Sequence, residues 1–436
     1  MKPIGIRRET KNRWERRVPL TPEVVAGLVK EGVPVLVEPS EIRIFPDGEY
    51  AKAGATLTKN LSPCGVVFGV KEIPEDRFLE GQGYVFFSHT IKGQSYNMAM
   101  LRRMMDLRCH LIDYERIVDE KGRRLVLFGY HAGLSGMIET LRAVGLRLKA
   151  DGFDTPLAGI KQPREYDSLG EAKKAIAAAG ERIRAGEWPG ELRPYVIGFA
   201  GYGNVSRGAQ EIFELLRPSE VKPAGLAAAY SAPPAAAGPF VKVVFYEKDM
   251  VVPLKEGAEF ALQDYYDHPE NYRGIFERYL PHLSVLVSAI FWTDRYPRLV
   301  TKKWLKEAWA SGAPRLRVIG DIACDLDGAI ECTYLATEPG TPNYVYEPAA
   351  DRHVDGVVGE GPVIMAVDIL PAELPREASE AFSEALAPFV RSIAEADFGA
   401  DPRELDIPGP IRNALIVHRG ELTEEYHYLT DHVGRE

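Results

Sequence analysis

Short apolar runs bounded by turn residues recur along the first third of the chain. They stand at Pro3–Ile6, Val33–Pro39, Gly65–Lys71, Tyr84–His89 and His110–Glu115, and each has the length of a buried strand. Between them lie helical patterns. Thr21-Pro22-Glu23 opens one, with threonine as the cap and proline in the first turn, and Ser95–Leu107 carries another. Strands that alternate with helices predict a parallel sheet.

The pattern continues with a long helix over Ala132–Ala150. Its apolar stripe is Leu134, Met137, Ile138, Leu141 and Leu148, and Gly133 and Gly136 allow a backbone or ligand to come close. This helix is expected to carry the chain from a first domain into a second. A helix over Leu169–Ala185 follows. Strands are then predicted at Tyr195–Ala200, Val241–Tyr246, Leu283–Ala289 and Leu316–Ile322, with Ile212, Phe213 and Leu216 on the helix after the first of them. Beyond Pro371 a long amphipathic helix runs to about Ala396, long enough to return the chain to the first domain. One segment breaks the pattern. Pro223–Pro239 is rich in Ala, Pro and Gly and nearly uncharged, and it reads as a surface insertion or mobile loop because proline breaks any helix there. No internal repeat is visible.

A chain of 436 residues with 45% apolar and 27% charged residues is a soluble globular protein of two domains or so. The net charge of −10 argues against a nucleic-acid binder or a protein docked on an anionic membrane, both of which need a basic patch. Four scattered cysteines, Cys64, Cys109, Cys324 and Cys332, make neither a disulfide scaffold nor a Cys-x-x-Cys zinc site, so no metal is expected. The charged N-terminal segment does not resemble a secretory signal, and no apolar run has the ~18 residues of a membrane span. A reducing, cytoplasmic location follows.

GFAGYGNVSRGA, Gly198–Ala209, follows a predicted strand and opens a predicted helix. Gly201 and Gly203 have the G-x-G spacing of a dinucleotide-binding turn, with Ser206 as the small third residue. The helix start at Asn204, Val205 and Ser206 would offer its N–H groups to the phosphates. The acidic ribose reader of such folds lies ~20 residues further on. There the chain reads SEVKP, Ser219–Pro223, with Lys222 available for a 2′-phosphate, so NADP(H) is preferred and NAD(H) is the alternative.

In the first domain Arg17, the pair Lys71-Glu72, His89 with Lys92, and Glu115 stand beside predicted strand ends. Ligands gather at the carboxyl ends of parallel strands. An arginine can hold a carboxylate, and a lysine and a histidine can exchange protons near neutral pH.

The motifs WERRVPL, FFSHTIK, LIDYE, AGLSGMI, GLRL, GNVSRGAQEIF, YDHPENY, IFWTDRYPRLVT and VDILPAELPREAS run from residue 14 to about 380. As a set they resemble the lysine–2-oxoglutarate reductase half of the aminoadipic semialdehyde synthases. RETKNRWERRVPLTPE alone would fit the wider superfamily of alanine dehydrogenase, lysine-forming saccharopine dehydrogenase and the transhydrogenase NAD-binding subunit. The resemblance implies an α/β chain of two Rossmann-like domains with parallel sheets. The substrate domain would comprise residues 1–135 plus 365–436, and the dinucleotide-binding domain, residues 136–364, would be inserted between them.

The resemblance further implies that Lys71 and His89 move protons and that Arg17 holds a substrate carboxylate. Glu72 and Glu115 would tune Lys71, and Lys92 would pair with Asp368. The substrates implied are L-lysine and 2-oxoglutarate, condensed and reduced to saccharopine in the first step of lysine degradation. The saccharopine-oxidising half is absent from the chain, so a separate enzyme downstream is expected, and a homo-oligomer is compatible with this reading. Two rivals share the fold: an alanine-dehydrogenase-type enzyme using ammonia and a small oxo acid, and a lysine-forming saccharopine dehydrogenase running in the opposite direction. A third, a nucleotide-sensing module without chemistry, fits poorly with an intact Lys71, His89 and Arg17.

Overall fold

The structure, a computed structural model, describes residues 1–231, 238–312 and 314–434. The chain divides into two compact units, Met1–Phe128 with Pro375–Glu436, and Gly129–Leu374. These limits lie inside 1–135 and 365–436 as read from the sequence. The long helix is the reason: it starts at Gly129 and lies wholly in the second unit.

In the first unit β1 (Ile4–Ile6), β2 (Val35–Val37), β3 (Thr56–Leu57), β4 (Val66–Phe68), β5 (Gly83–Phe86) and β6 (His110–Asp113) pair in parallel. Their order is β3-β2-β1-β4-β5-β6, so the winding reverses between β1 and β4. At such a reversal the connections diverge and leave a crevice beyond the carboxyl ends. The strands are short and apolar on both faces; Ile4, Ile6, Val66, Val67 and Phe68 are all buried, as a sheet covered on both sides requires. The helix Pro22–Lys30 starts as expected, with the Thr21 hydroxyl accepting from the Val24 N–H.

The second unit contains β7 (Tyr195–Ala200), β8 (Ser219–Val221), β9 (Phe240–Phe245), β10 (Val251–Pro253), β11 (Tyr272–Gly274), β12 (Val285–Ser288), β13 (Val318–Asp321), β14 (Asn343–Glu347), β15 (Arg352–Asp355) and β16 (Val363–Met365). β10 and β11 form a separate antiparallel pair. The others form one sheet in the order β15-β14-β16-β13-β12-β7-β9-β8. Its parallel core again reverses, between β7 and β12, and β14 and β15 close one edge antiparallel.

Two features of this unit differ from the sequence reading. β8 is a short, partly exposed edge strand with no apolar signature, and among the described residues it pairs only with β9. The Ala/Pro/Gly segment is not simply a surface excursion: it begins with a turn at Pro223–Gly225 and a short helix at Ala228–Ser231, and Leu226 and Ala229 are buried. Residues 232–237 of that segment lie outside the described residues.

The helix Gly129–Ala150 packs on the helix Asn204–Glu214 at backbone contact. A Cβ on Gly133 would lie 1.9 Å from the Val205 carbonyl oxygen, so only glycine fits.

The chain then returns to the first unit through the helix Pro375–Glu395. Ser379 and Ser383 accept hydrogen bonds from the Val18 and Thr21 N–H groups at 3.0 and 2.9 Å, which ties this helix to the segment carrying Arg17. β17 (Leu415–His418) pairs antiparallel with β6, and β18 (Glu421–Leu422) closes that edge. No helix among the described residues is long and apolar enough to cross a membrane.

Candidate active site

In the first unit the candidate residues gather beyond the carboxyl ends of β1, β4, β5 and β6. Backbone pairing continues past the strands: Phe87 N–H donates to the Val70 carbonyl at 3.0 Å, and Gly69 N–H to that of Val85 at the same distance. Lys71 and Glu72 leave β4 beside the point where His89 leaves β5. Glu9, which the sequence reading missed, fixes this edge. Its carboxylate accepts the Val70 and Lys71 N–H groups at 2.8 and 3.1 Å. Burial raises the proton affinity of Glu9, while the charge of Arg7, 3.4 Å away, offsets part of that rise.

His89 Nδ1 lies 2.8 Å from Glu72 Oε1, and Lys11 Nζ is 2.8 Å from both Glu72 oxygens. Burial would raise the Glu72 carboxyl, but His89 and then Lys11 outweigh it and hold it at about 2. A carboxylate on Nδ1 keeps a proton there and turns Nε2 to exchange protons. Among the described residues Nε2 has no hydrogen-bond partner, and the side chain is 28% exposed. His89 also has φ of +50°, a costly conformation for a non-glycine residue and one that concentrates at functional sites.

The neighbouring positions hold that turn in place. Asp113, fully buried at the end of β6, accepts from the Ser88 N–H at 3.0 Å and from its hydroxyl, which also meets Thr90 at 2.8 Å. Burial pushes the Asp113 carboxyl up, against the pull of the Ser88 hydrogen bond. Asn97 Nδ2 donates to the His89 carbonyl at 3.2 Å.

Other expected positions stand as follows. Arg17 is buried over the Phe128 ring at 4.2 Å, and its fork is taken by Glu15, at 2.7 Å from Nε and 2.5 Å from Nη2. A substrate carboxylate would therefore meet Nη1 or displace Glu15. Glu115 pairs with Arg124 at 3.0 Å, and the partners that Glu72 engages are His89 and Lys11. Lys92 is exposed in the first unit and Asp368 is exposed in the second.

In the second unit the glycine turn follows β7 as expected. Gly201 has φ of +99°, and a Cβ there would lie 2.8 Å from the Ala289 carbonyl oxygen, while nothing lies within 4 Å of a Cβ on Gly203. The helix Asn204–Glu214 begins with Gly203 as its cap and no side-chain cap, so its first N–H groups remain open to an anion. Asn204 is exposed, Val205 half-buried and Ser206 fully buried, with its hydroxyl taking Gln210 Nε2 at 3.0 Å. Close backbone approach, an uncapped helix start and open space beside Gly203 fit the pyrophosphate of a dinucleotide.

A cavity of about 500 Å³ adjoins this turn, lined by Gly201, Tyr202, Gly203, Glu247, Ala289 and Ile290 among others. It sits at the β7/β12 reversal. Lys222 does not line it: the residue is exposed beyond β8, the outermost strand, with β9 between β8 and β7. Lys222, expected at the ribose-reading position, follows β8, and β8 and the Ala/Pro segment come before β9, the strand that neighbours β7. Further along the same sheet Asp321, at the end of β13, is buried and pushed up to about 7, first by burial and also by the charge of Asp325, against a 2.7 Å bond from the Thr333 hydroxyl. Among the described residues no group of three or more His, Cys, Asp and Glu could hold a metal ion.

The model for the alanine dehydrogenase/PNT N-terminal domain matches residues 5–135, and that for the C-terminal domain matches residues 270–425. An alpha-aminoadipic semialdehyde synthase of Arabidopsis thaliana is 37% identical over 98% of the chain, which spans 41% of that protein's length. A saccharopine dehydrogenase [NAD(+), L-lysine-forming] of Neurospora crassa is 30% identical, covering 89% of this chain and 91% of that one. The solved structure of an L-alanine dehydrogenase superposes with a TM-score of 0.63 at 18% identity, over 99% of both chains, a likeness of fold. With a full-length relative at this identity, the chain belongs to the alanine dehydrogenase/saccharopine dehydrogenase superfamily of nicotinamide-dinucleotide-dependent oxidoreductases.

Proposed function

We propose that the chain condenses L-lysine with 2-oxoglutarate and reduces the resulting imine to saccharopine. The observation that carries this reading is the His89–Glu72–Lys11 array at the strand ends from which Lys71 also emerges. It is supported by likeness over nearly the whole chain to proteins named for aminoadipic semialdehyde synthesis and saccharopine dehydrogenation.

Each step moves a proton. The lysine ε-amine must be neutral to attack the 2-oxo carbon, the carbinolamine oxygen must gain a proton to leave as water, and the product nitrogen ends protonated. His89, oriented by Glu72, takes and returns protons at Nε2, and Lys71 serves as the second acid–base group. Arg17 Nη1 and Lys92 offer positive charge to the substrate carboxylates. A bound reduced dinucleotide, held at Gly201, Gly203 and the N–H groups of Asn204–Ser206, supplies the hydride. A cytoplasmic location and a homo-oligomer belong to the same reading.

The reverse direction, lysine-forming oxidation of saccharopine, uses the same groups and is favoured by the near-complete coverage of the Neurospora relative. The test is an incubation of the chain with lysine, 2-oxoglutarate and either reduced dinucleotide, followed by mass spectrometry. Saccharopine should accumulate in step with dinucleotide oxidation, and ammonia plus pyruvate should give no turnover. Turnover of ammonia and pyruvate without saccharopine would move the function to an amino-acid dehydrogenase.

A further inference from the structure

The first unit has a second recess. Val67 of β4 and Tyr84 of β5 line a cavity of about 270 Å³, walled by the segment after β3 and by the turn after β4. Arg17, Lys71, Glu72 and His89 do not line it. Its charge is opposite to that of the chain. Four cations, Arg7, Arg8, Lys59 and Arg77, stand against two carboxylates, Glu38 and Asp76, an excess of two positive charges in a protein of net −10. Arg8 engages Glu38, with Nε at 3.3 Å and the backbone N–H at 3.1 Å. Lys59 and Arg77 are exposed and make no ion pair among the described residues. Arg7 is the buried member, its side chain 6% exposed. A guanidinium has five N–H donors. Among the described residues those of Arg7 hydrogen-bond only to Thr10 Oγ1 at 3.0 Å and, at a long 3.4 Å, to Glu9 Oε2.

We propose that this cavity binds a phosphate monoester, and that binding there slows the catalytic edge through Arg7 and Glu9. A buried cation with so little neutralisation is costly, and an anion in the cavity supplies the missing partner. A phosphate monoester carries about two negative charges at neutral pH, which matches the excess, and a guanidinium fork fits its oxygens. Asn60 and Ser62, also on the lining, offer an amide and a hydroxyl to the remaining oxygens. A cavity of about 270 Å³ holds a small ester and is too small for a dinucleotide. The link to catalysis is short. Glu9 accepts the Val70 and Lys71 N–H groups, and the Arg7 charge favours its carboxylate form against burial. A bound phosphate competes with Glu9 for that charge, so Glu9 takes up a proton and its hold on the Lys71 backbone weakens. This link rests on the reading of Lys71 as an acid–base group.

The test is calorimetric titration of the full chain with inorganic phosphate at constant ionic strength, with excess NADH present to occupy the glycine turn. It should show a saturable site with a Kd of about 1 mM or tighter. The double variant Lys59→Gln with Arg77→Gln changes two exposed side chains and leaves the core intact, and it should weaken binding at least tenfold. Succinate, a dianion without the tetrahedral head, should bind at least tenfold more weakly than phosphate. Saturating phosphate should lower kcat with lysine and 2-oxoglutarate at least twofold, and a fall in kcat separates this effect from competition at the substrate site, which raises KM. No saturable binding, an affinity unmoved in the double variant, or succinate binding as tightly as phosphate would each overturn the site. An unchanged kcat at saturating phosphate would overturn the link through Glu9. Binding that the double variant weakens, in a chain that turns over no amine with any oxo acid, would support the site and overturn the proposed reaction.

Discussion

Asp321 offers a test in which stability and function pull in opposite directions. Its carboxyl, 2% exposed at the carboxyl end of β13, is pushed up to about 7 from an ordinary 3.8. A carboxyl raised on folding favours the neutral form, so its contribution is fully present below the unfolded value and is lost as pH rises through the folded one. At ~1.4 kcal/mol per pH unit the whole loss is roughly 4 kcal/mol, and about 2.5 kcal/mol of it falls between pH 5 and pH 8. Asp321→Asn keeps an oxygen for the Thr333 hydroxyl and cannot ionise. Urea unfolding of wild type and variant at the two pH values isolates the effect, since every other group titrates in both. The stability difference should move in favour of the variant by about 2.5 kcal/mol from pH 5 to pH 8. A difference constant across that range would refute the reasoning. If Asp321 also takes part in turnover, the stabilised variant will be the slower enzyme, as buried groups with displaced proton affinity often mark working sites.

Three further outcomes follow from the geometry. Lys71→Met and His89→Gln should each lower kcat by ~10²–10⁴ with an unchanged melting temperature, the usual scale of lost proton transfer; near wild-type turnover in either would remove that residue from the chemistry. Gly133→Ala should destabilise the second unit by about 1–3 kcal/mol in urea, because the new methyl would meet the Val205 carbonyl oxygen and the two helices must separate. Burial raises both Glu139 and Glu373, which share the buried neighbourhood of Gln162 and Arg142; their neutral form is favoured in the fold, so stability from this pair falls as pH rises. Glu373→Gln, with an amide that can donate to Glu139, should therefore be at least as stable as wild type at pH 8 by thermal unfolding, and a lower melting point there would contradict it.

The fold was legible where burial is two-sided. β7 reads as a continuous apolar run and was placed to the residue, and β4, β5, β6, β12 and β13 were found with ends a few residues too long, since the polar groups that follow them stay in register with neighbouring backbone. β8, β14 and β15 left weaker signals. β8 is half-exposed and polar, and β15 is an exposed edge, so neither carries the apolar run that marks a buried strand. Gly133 could be flagged as a point of close approach, but its partner, Val205 at the start of the helix Asn204–Glu214, is a contact across about 70 residues that no local pattern encodes.

The candidate site divides in the same way. Lys71, Glu72 and His89 could be singled out because each directly follows a recognisable strand, and the sheet brings them to one edge. The groups that set their geometry were not visible. Glu9 acts on backbone N–H groups about 60 positions away, and Glu15 occupies the Arg17 fork only because the chain turns between them. The count that reaches Lys222 shows how a local omission misplaces a residue. A spacing of about 20 residues assumes that the next strand in sequence is the next strand in space. Here a three-residue edge strand and the Ala/Pro segment stand before β9, so the count stops at Lys222, beyond β8, while the residues that follow the strand beside β7 include Glu247. Sheet order, not sequence distance, decides which residue lies beside the glycine turn.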